Sequence, residues 1–448
     1  MKSKPSRRDR ILGLELFITS TCNKKCTYCY LQKHEDKLYP PEIRNIDTIL
    51  SNLKILLNHL SNYNDGKFNK LDLFSGEIWG TKLSKDIFDI LIEYSPKVHF
   101  DAIIIPSNCS FIRNDEQTDL IKEYIEKFKN IETRLVFSCS SDGLIIDSTT
   151  RPYNTADTMD LSEFYQKLWA FAEEYDFCFH PMVDAHTIDQ WSDNLQWWID
   201  ECEKRGHSLL DKVMTLEVRN PNSWNDETIT SYLKFLKQIT EYTINLFDKD
   251  LVRFLKETFE LRPFHDSPLK RCTYFPWGVR SSTRASCSIT QSLCIRLGDL
   301  MICPCHRLAY PKLNYGKYIV NDNEEIVGIE ANNIPNLISH YITGSGGYLK
   351  CDSCVFSKYC IKGCQGAQFE DSKESLYPIQ SVCELEKAKI LYVLHNILAL
   401  VETYNIQLDE TLSKEVQTIR ADYEKLKKEE PEVYEKWIPI VQTLSLKV

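Results

Sequence analysis

The chain of 448 residues carries 54 basic and 64 acidic side chains, a formal charge of −10, and 43% hydrophobic residues. That composition excludes a disordered or fibrous chain and a small disulfide scaffold. The acidic balance gives no footprint for a phosphate backbone, so nucleic acid is not an expected partner.

At the N-terminus Lys2, Lys4, Arg7, Arg8 and Arg10 precede the apolar stretch Ile11–Ile18, but Gly13 and Glu15 interrupt it and Thr-Ser-Thr-Cys follows, unlike a signal peptide. Strand-like runs fall at Leu12–Ile18, Leu71–Phe74, Val98–Ile105, Thr133–Phe137, Phe177–Val183 and Val213–Val218. Helical periodicity follows each. It is clearest in Ile49, Leu50, Leu53, Leu56, Leu57 and Leu60 behind an expected N-cap at Asp47, and in Leu120, Ile121, Tyr124, Ile125 and Phe128. Further helices are expected near 84–94, 161–174, 188–204 and 226–247. Six βα units predict an α/β fold: a parallel sheet under helices, forming a partial (β/α)6 TIM-like barrel over residues 1–265. In such folds chemistry gathers at the C-terminal ends of the strands.

After residue 265 the alternation stops and cysteines crowd together, with a Gly-Ser-Gly-Gly loop at 344–347, which predicts a small cysteine-rich domain over 266–384. From Leu385 to 448 the pattern is a helical tail, with Ile390, Leu391, Leu394, Ile397, Leu398 and Val401 on one side and a charged helix around 412–429 ended by Pro431. The apolar stretch Ile390–Val401 is too short for a bilayer core of about 30 Å, so no membrane span and a cytoplasmic location are expected.

The chain has 17 cysteines. In a reducing compartment clustered cysteines are metal or iron-sulfur ligands more often than disulfides. Cys22-Asn23-Lys24-Lys25-Cys26-Thr27-Tyr28-Cys29 follows the first strand, and three thiolates on one loop can hold three irons of a 4Fe-4S cube with the fourth iron open. The alternative, a zinc knuckle, lacks its fourth ligand.

This loop resembles the signature of the radical SAM (S-adenosylmethionine) enzymes. The resemblance implies that Cys22, Cys26 and Cys29 hold a 4Fe-4S cluster whose open iron chelates SAM, and that one electron from the cluster cleaves SAM to a 5′-deoxyadenosyl radical. By the same resemblance Tyr28 lies near the adenine, and Ser75-Gly76-Glu77-Ile78 stands for the family's Gly-Gly-Glu-Pro element, with Gly76 and Glu77 matching. Ser107-Asn108-Cys109 is similar to its Thr-Asn-Gly, with Cys for Gly. Ser140-Ser141-Asp142-Gly143, with Asp147 and Arg151 beyond, resembles the sulfatase-maturase-like branch, where Ser140 and Arg151 contact the SAM ribose and carboxylate.

A second set, Cys351-x2-Cys354-x5-Cys360-x3-Cys364, preceded by Cys287 and Cys303 and followed by Cys383, resembles the SPASM domain that binds auxiliary 4Fe-4S clusters. The resemblance assigns Cys351, Cys354, Cys360 and Cys383 to an outer cluster. It assigns Cys287, Cys303 and Cys364 to an inner one, with Cys272 the candidate fourth ligand. Cys305, in Cys303-Pro304-Cys305-His306, matches the family's Pro-Cys as well as Cys303 does, and the choice stays open. Two zinc sites are the competing reading, since zinc accepts the same thiolates. Cys109, Cys139, Cys178 and Cys202 read as small buried hydrophobes.

Candidate catalytic or substrate-contacting residues are His306, beside the cluster cysteine where sulfatase-maturing relatives carry an Asp, and Asp184, His186, Glu217 and Arg219 at the ends of the fifth and sixth strands. The resemblance implies a peptide-modifying oxidoreductase that abstracts hydrogen from a residue of a ribosomally made precursor peptide (a RiPP) and installs a crosslink or thioether. An electron donor such as flavodoxin or ferredoxin is implied, and a separate leader-peptide recognition protein is a further candidate partner. The alternatives are a sulfatase-type protein-oxidising or small-molecule enzyme of the same chemistry, and a zinc-stapled binding protein without catalysis.

Overall fold

The computed structural model describes residues 13–154, 159–175, 177–260, 292–332, 351, 353–360, 363–373 and 378–447. The apolar run after the N-terminus forms β1 (Gly13–Phe17), followed by β2 (Lys67–Phe74), β3 (His99–Ser107) and β4 (Arg134–Cys139). The four pair in parallel, with Leu14 opposite Leu71, Leu71 opposite Ile103 and Ile103 opposite Leu135. Helices α1 (Ile46–Leu60), α2 (Lys82–Tyr94), α3 (Asp115–Asn130) and α4 (Leu161–Tyr175) occupy the stretches where periodicity places them. In α1 the buried stripe is Ile49, Leu53, Ile55, Leu56, Leu57 and Leu60, each worth about 1.5–3 kcal/mol on full burial. Its cap is Asn45, whose side chain accepts from Thr48 N, and the expected cap Asp47 lies instead in the first turn beside the helix dipole.

The predicted strand Phe177–Val183 divides into β5 (Cys178–Phe179) and β6 (Met182–Val183) around Pro181, which has no N–H to give a ladder. The predicted strand Val213–Val218 narrows to β7 (Leu216–Glu217), parallel to β6.

Beyond residue 265 the sheet resumes. Strand β8 (Ser292–Arg296) pairs in parallel with β1, from Gly13 opposite Ser292 to Phe17 opposite Arg296. β9 (Met301–Cys303), β10 (Gly316–Val320) and β11 (Ile326–Ala331) then add as antiparallel strands. The described residues of Met1–Ser141, Arg151–Phe177 and Cys287–Gly344 accordingly form one compact unit, and those of Asp142–Thr150, Cys178–Ser286 and Ser345–Val448 another. The pairing of β8 with β1 is a long-range event that local pattern cannot show.

In the second unit α5 (Trp191–Lys204) and α6 (Asp226–Leu246) are followed by α7 (Gln380–Thr403), α8 (Glu410–Glu429) and α9 (Pro431–Thr443). Pro431 ends the charged helix by opening the next one at its first position, where its missing N–H costs nothing. Among the described residues no helix is long and apolar enough to cross a membrane.

Candidate iron-sulfur and cofactor site

Strand β1 ends in Thr19-Ser20-Thr21, and the backbone of β2's end bonds to it: Gly76 N donates to Thr19 O at 2.9 Å and Glu77 N to Thr21 O at 2.7 Å. A side chain at residue 76 has no room, since a Cβ there lies 2.0 Å from Thr21 O and 2.7 Å from Ser20 O. This close approach fixes the start of the loop that carries Cys22, Cys26 and Cys29. All three cysteines are reduced and partly exposed, and Cys29 N donates to Cys26 O at 3.0 Å.

Glu77 ties the next strand end to the same place. Its Oε1 accepts from Ser107 Oγ at 2.9 Å and its Oε2 from Asn108 N at 2.5 Å. Burial raises its pKa to about 7 against the lowering effects of those bonds and of the Lys24 and Arg151 charges. Asn108 reaches the cysteine loop directly, donating to Asn23 Oδ1 at 2.9 Å, and Asn23 donates to Ser110 Oγ at 2.7 Å. Cys109 sits in the left-handed region, φ 57°, which accounts for glycine in the motif it resembles. Ser140 N donates to Ser107 O at 2.7 Å, carrying the chain of contacts to β4.

Arg151 is buried and donates from Nη1 to Tyr28 OH at 2.9 Å. The loop is also held by Lys25 N on Pro152 O at 2.7 Å and by Asn154 Nδ2 on Cys22 O at 2.9 Å, and the Lys24 ammonium lies 4.6 Å from the Tyr153 ring centroid. Ser75 is buried, and its Oγ has no hydrogen-bond partner among the described residues. Burial pushes the Cys22 thiol up to about 12, with the Lys24 backbone hydrogen bond opposing. Thus Tyr28, Ser75, Gly76, Glu77, Ser107, Asn108, Ser140 and Arg151 all belong to strand ends or to the segment bonded to the cysteine loop. Among the described residues no three His, Cys, Asp or Glu side chains stand close enough to hold one ion. A cubane spreads its thiolates over separate irons, so a single-ion geometry is not its requirement.

His306 packs flat on Phe74, with ring centroids 3.7 Å apart and planes at 9°, and its Nδ1 stands 2.9 Å from Glu15 Oε1. Glu15, Asn23, Lys24 and Tyr153 were not among the residues expected from sequence. Glu15 alone left a signal there, as a charge inside an apolar strand. Cys303 ends β9 fully buried, with its thiol directed at Met301 O, 3.8 Å away, whereas Cys305 lies in the turn after it, partly exposed.

In the second unit Cys351, Cys354, Cys360, Cys364 and Cys383 line one cavity, so all five described cysteines of that set come together. Cys272 and Cys287, like the Gly-rich loop at 344–347, lie outside the described residues. Asp184 is buried at the end of β6 and His186 is exposed. Glu217 and Arg219, expected at a substrate-facing rim, are instead committed to each other and to α7. Arg219 contacts Glu217 and Glu386 at 3.2 Å each, and Lys389 contacts Glu217 at 3.2 Å and Glu386 at 2.9 Å. Burial opposes ionisation of Glu217, but Lys389 and Arg219 outweigh it and hold the carboxyl well below the usual carboxylate range.

Asp142, in the Ser140–Gly143 segment, is a hub of the second unit. It accepts from Met182 N at 2.9 Å, Thr150 Oγ1 at 2.6 Å and, through its carbonyl, Asn194 Nδ2 at 2.7 Å.

No protein-family model matches the chain, and no curated protein matches it by sequence. Solved structures do resemble it. Native anSMEcpe with bound AdoMet aligns over 87% of this chain and 99% of its own, at 16% identity and a TM-score of 0.56. Native anSMEcpe with bound AdoMet and the Cp18Cys peptide aligns over 88% and 99%, at 16% identity and a TM-score of 0.54. That protein is an anaerobic sulfatase-maturating enzyme of the radical SAM/SPASM type, and at this identity the likeness is one of fold.

Proposed function

We propose that the chain is a radical SAM/SPASM peptide maturase, built as a partial (β/α)6 barrel with a SPASM extension, that abstracts hydrogen from a residue of a ribosomally made peptide and installs a crosslink or thioether. The observation that carries this reading is the convergence of Ser75–Glu77, Ser107–Asn108 and Arg151 on the Cys22–Cys29 loop. Bound there, a reduced 4Fe-4S cluster with SAM supplies a carbon radical able to attack an unactivated C–H bond.

The donor set fits that group: three partly exposed thiols on one loop, none of them in a disulfide. The chain's own share is placement. Glu77 locks two strand ends, Gly76 lets the β2 backbone approach, and the unpartnered Ser75 hydroxyl is a polar group for a bound ligand. Arg151 offers a guanidinium to a carboxylate, and Tyr28 fixes its direction. The five-cysteine cavity fits an auxiliary cluster, and of the two neighbours Cys305 is the better ligand candidate because Cys303 is sealed in β9. A precursor peptide, an electron donor such as flavodoxin or ferredoxin, a leader-recognition protein and a cytoplasmic setting belong to the same reading.

The test is anaerobic reconstitution of the wild type and of the Cys22, Cys26, Cys29 triple-Ala variant, followed by reduction with SAM present. Wild type is expected to hold about four more irons per chain than the variant and alone to release 5′-deoxyadenosine. Iron-loaded wild type that leaves SAM intact, or a colourless zinc protein, sinks the proposal. The fold likeness to anSMEcpe, seen with a Cys peptide bound, favours one second reading, a sulfatase-type protein oxidase. Mass spectrometry of a Cys-containing sulfatase-type peptide, compared with a cysteine-rich or repeat precursor peptide, separates the two readings: oxidation of the first supports the protein oxidase, a crosslink or thioether in the second the maturase.

A further inference from the structure

The cavity lined by Cys351, Cys354, Cys360, Cys364 and Cys383 has, among the described residues, one acidic side chain in its wall, Glu386. This residue is 2% exposed. Its Oε1 is taken by Lys389 Nζ at 2.9 Å and Arg219 at 3.2 Å. Its Oε2 is buried and has no hydrogen-bond partner among the described residues. Lys389 and Arg219 in turn share Glu217, which also accepts from Tyr232 OH at 2.5 Å. Two carboxylates and two cations thus form a buried, charge-balanced group behind one wall of the cavity. The cation that lines the cavity itself among the described residues, Lys387, is engaged by Glu430 at 3.2 Å.

A buried carboxylate left half-satisfied is costly, and it is tolerated where a function uses it. In the wall beside an anionic thiolate-bound cluster, such a carboxylate opposes the arrival of one more electron, since net charge and burial set the potentials of iron-sulfur centres.

We propose that Glu386 is a positioning residue for charge: it lowers the reduction potential of the auxiliary 4Fe-4S cluster in the five-cysteine cavity, while Arg219 and Lys389 hold it in place. This inference rests on the reading of that cavity as a cluster site. The step it governs is a one-electron reduction by an external reductant, in which no bond is made or broken and no proton need move at Glu386.

The experiment uses full-length protein carrying the Cys22, Cys26, Cys29 triple-Ala change, reconstituted with iron and sulfide and titrated with dithionite under electron paramagnetic resonance. The cavity's signal is the midpoint that disappears on Cys354→Ala. Glu386→Gln is expected to raise that midpoint, making the reduced-to-oxidised ratio at fixed poise at least tenfold larger, which is 59 mV for a one-electron couple. Glu386→Asp is expected to restore the wild-type value. Lys389→Gln, which removes a cation from the same group, is expected to shift the midpoint the opposite way, and it carries the test if Glu386→Gln does not fold.

Equal midpoints at equal iron content overturn the proposal and leave the cluster reading standing. Loss of iron in Glu386→Gln with retention in Glu386→Asp also overturns it, in favour of the carboxylate as a direct ligand. Absence of any Cys354-dependent midpoint overturns the cluster reading and the proposal with it.

Discussion

His306 and Glu15 lie 291 residues apart in the chain, yet one carboxylate oxygen of Glu15 stands 2.9 Å from His306 Nδ1 and accepts from His306 N at 2.8 Å. The pair joins β1 to the turn after β9, beside the cysteine loop's own strand. Burial pushes Glu15 up, but the His306 charge and hydrogen bonds outweigh it and leave its pKa below the ordinary 4.5. Stability from such a group is present above the ordinary value and lost as pH falls through the folded one. Glu15→Gln is therefore expected to cost about 1–3 kcal/mol at pH 7, with the gap to wild type closing on acidification below pH 4.5, read from denaturant midpoints at each pH.

Glu77 has the opposite sign. Its folded value near 7 lies above the ordinary 4.5, so the folded chain binds the proton more tightly and wild type loses stability as pH rises from 4.5 to 7. The loss attributable to this carboxyl is on the order of 3 kcal/mol. Glu77→Gln should flatten that slope in the metal-free protein, and identical slopes would contradict the assignment.

The four parallel strands β1–β4 and the helices between them were legible in sequence because each hydrophobic run reports its own burial, whereas the fifth and sixth predicted strands reduce to two-residue pieces. What sequence did not show is pairing across distance. Nothing local tells Ser292–Arg296 to lie against β1, or Glu15 to meet His306. Glu217 and Arg219 illustrate the same limit from the other side: at the end of a short strand they read as candidate substrate contacts, and only contact with Glu386 and Lys389 shows that they belong to a buried network. The local cap at Asn45 was missed for a smaller reason, since Asp47 is an equally good capping type two residues later.

Gly76 should not tolerate a methyl group. Its Cβ meets backbone carbonyl atoms of Ser20 and Thr21, which cannot swing aside as a side-chain tip does. Gly76→Ala is expected to cost about 2 kcal/mol or more and to lower iron retention at the Cys22–Cys29 loop after reconstitution. A variant with wild-type thermal midpoint and full iron would show that the loop has freedom the geometry denies.

Removing Glu217 leaves Arg219 and Lys389 to share Glu386 in a buried setting. Glu217→Gln is expected to destabilise the second unit by about 3 kcal/mol, with partial recovery in Glu217→Asp, measured by chemical denaturation of the metal-free chain. Little or no loss would mean that water reaches these charges and that the network is less enclosed than its contacts indicate.

Helix α7 carries Cys383, Glu386 and Lys389 at successive intervals of three residues, so a thiol, an acid and a base share one stripe of a single rigid rod. Adding or deleting one residue between Ile379 and Cys383 rotates the rod by about 100° relative to the cavity and withdraws all three together. Length variation should therefore be all-or-none here and freely accepted in loops, so that the phase of this helix is inherited as one unit with the cavity it closes.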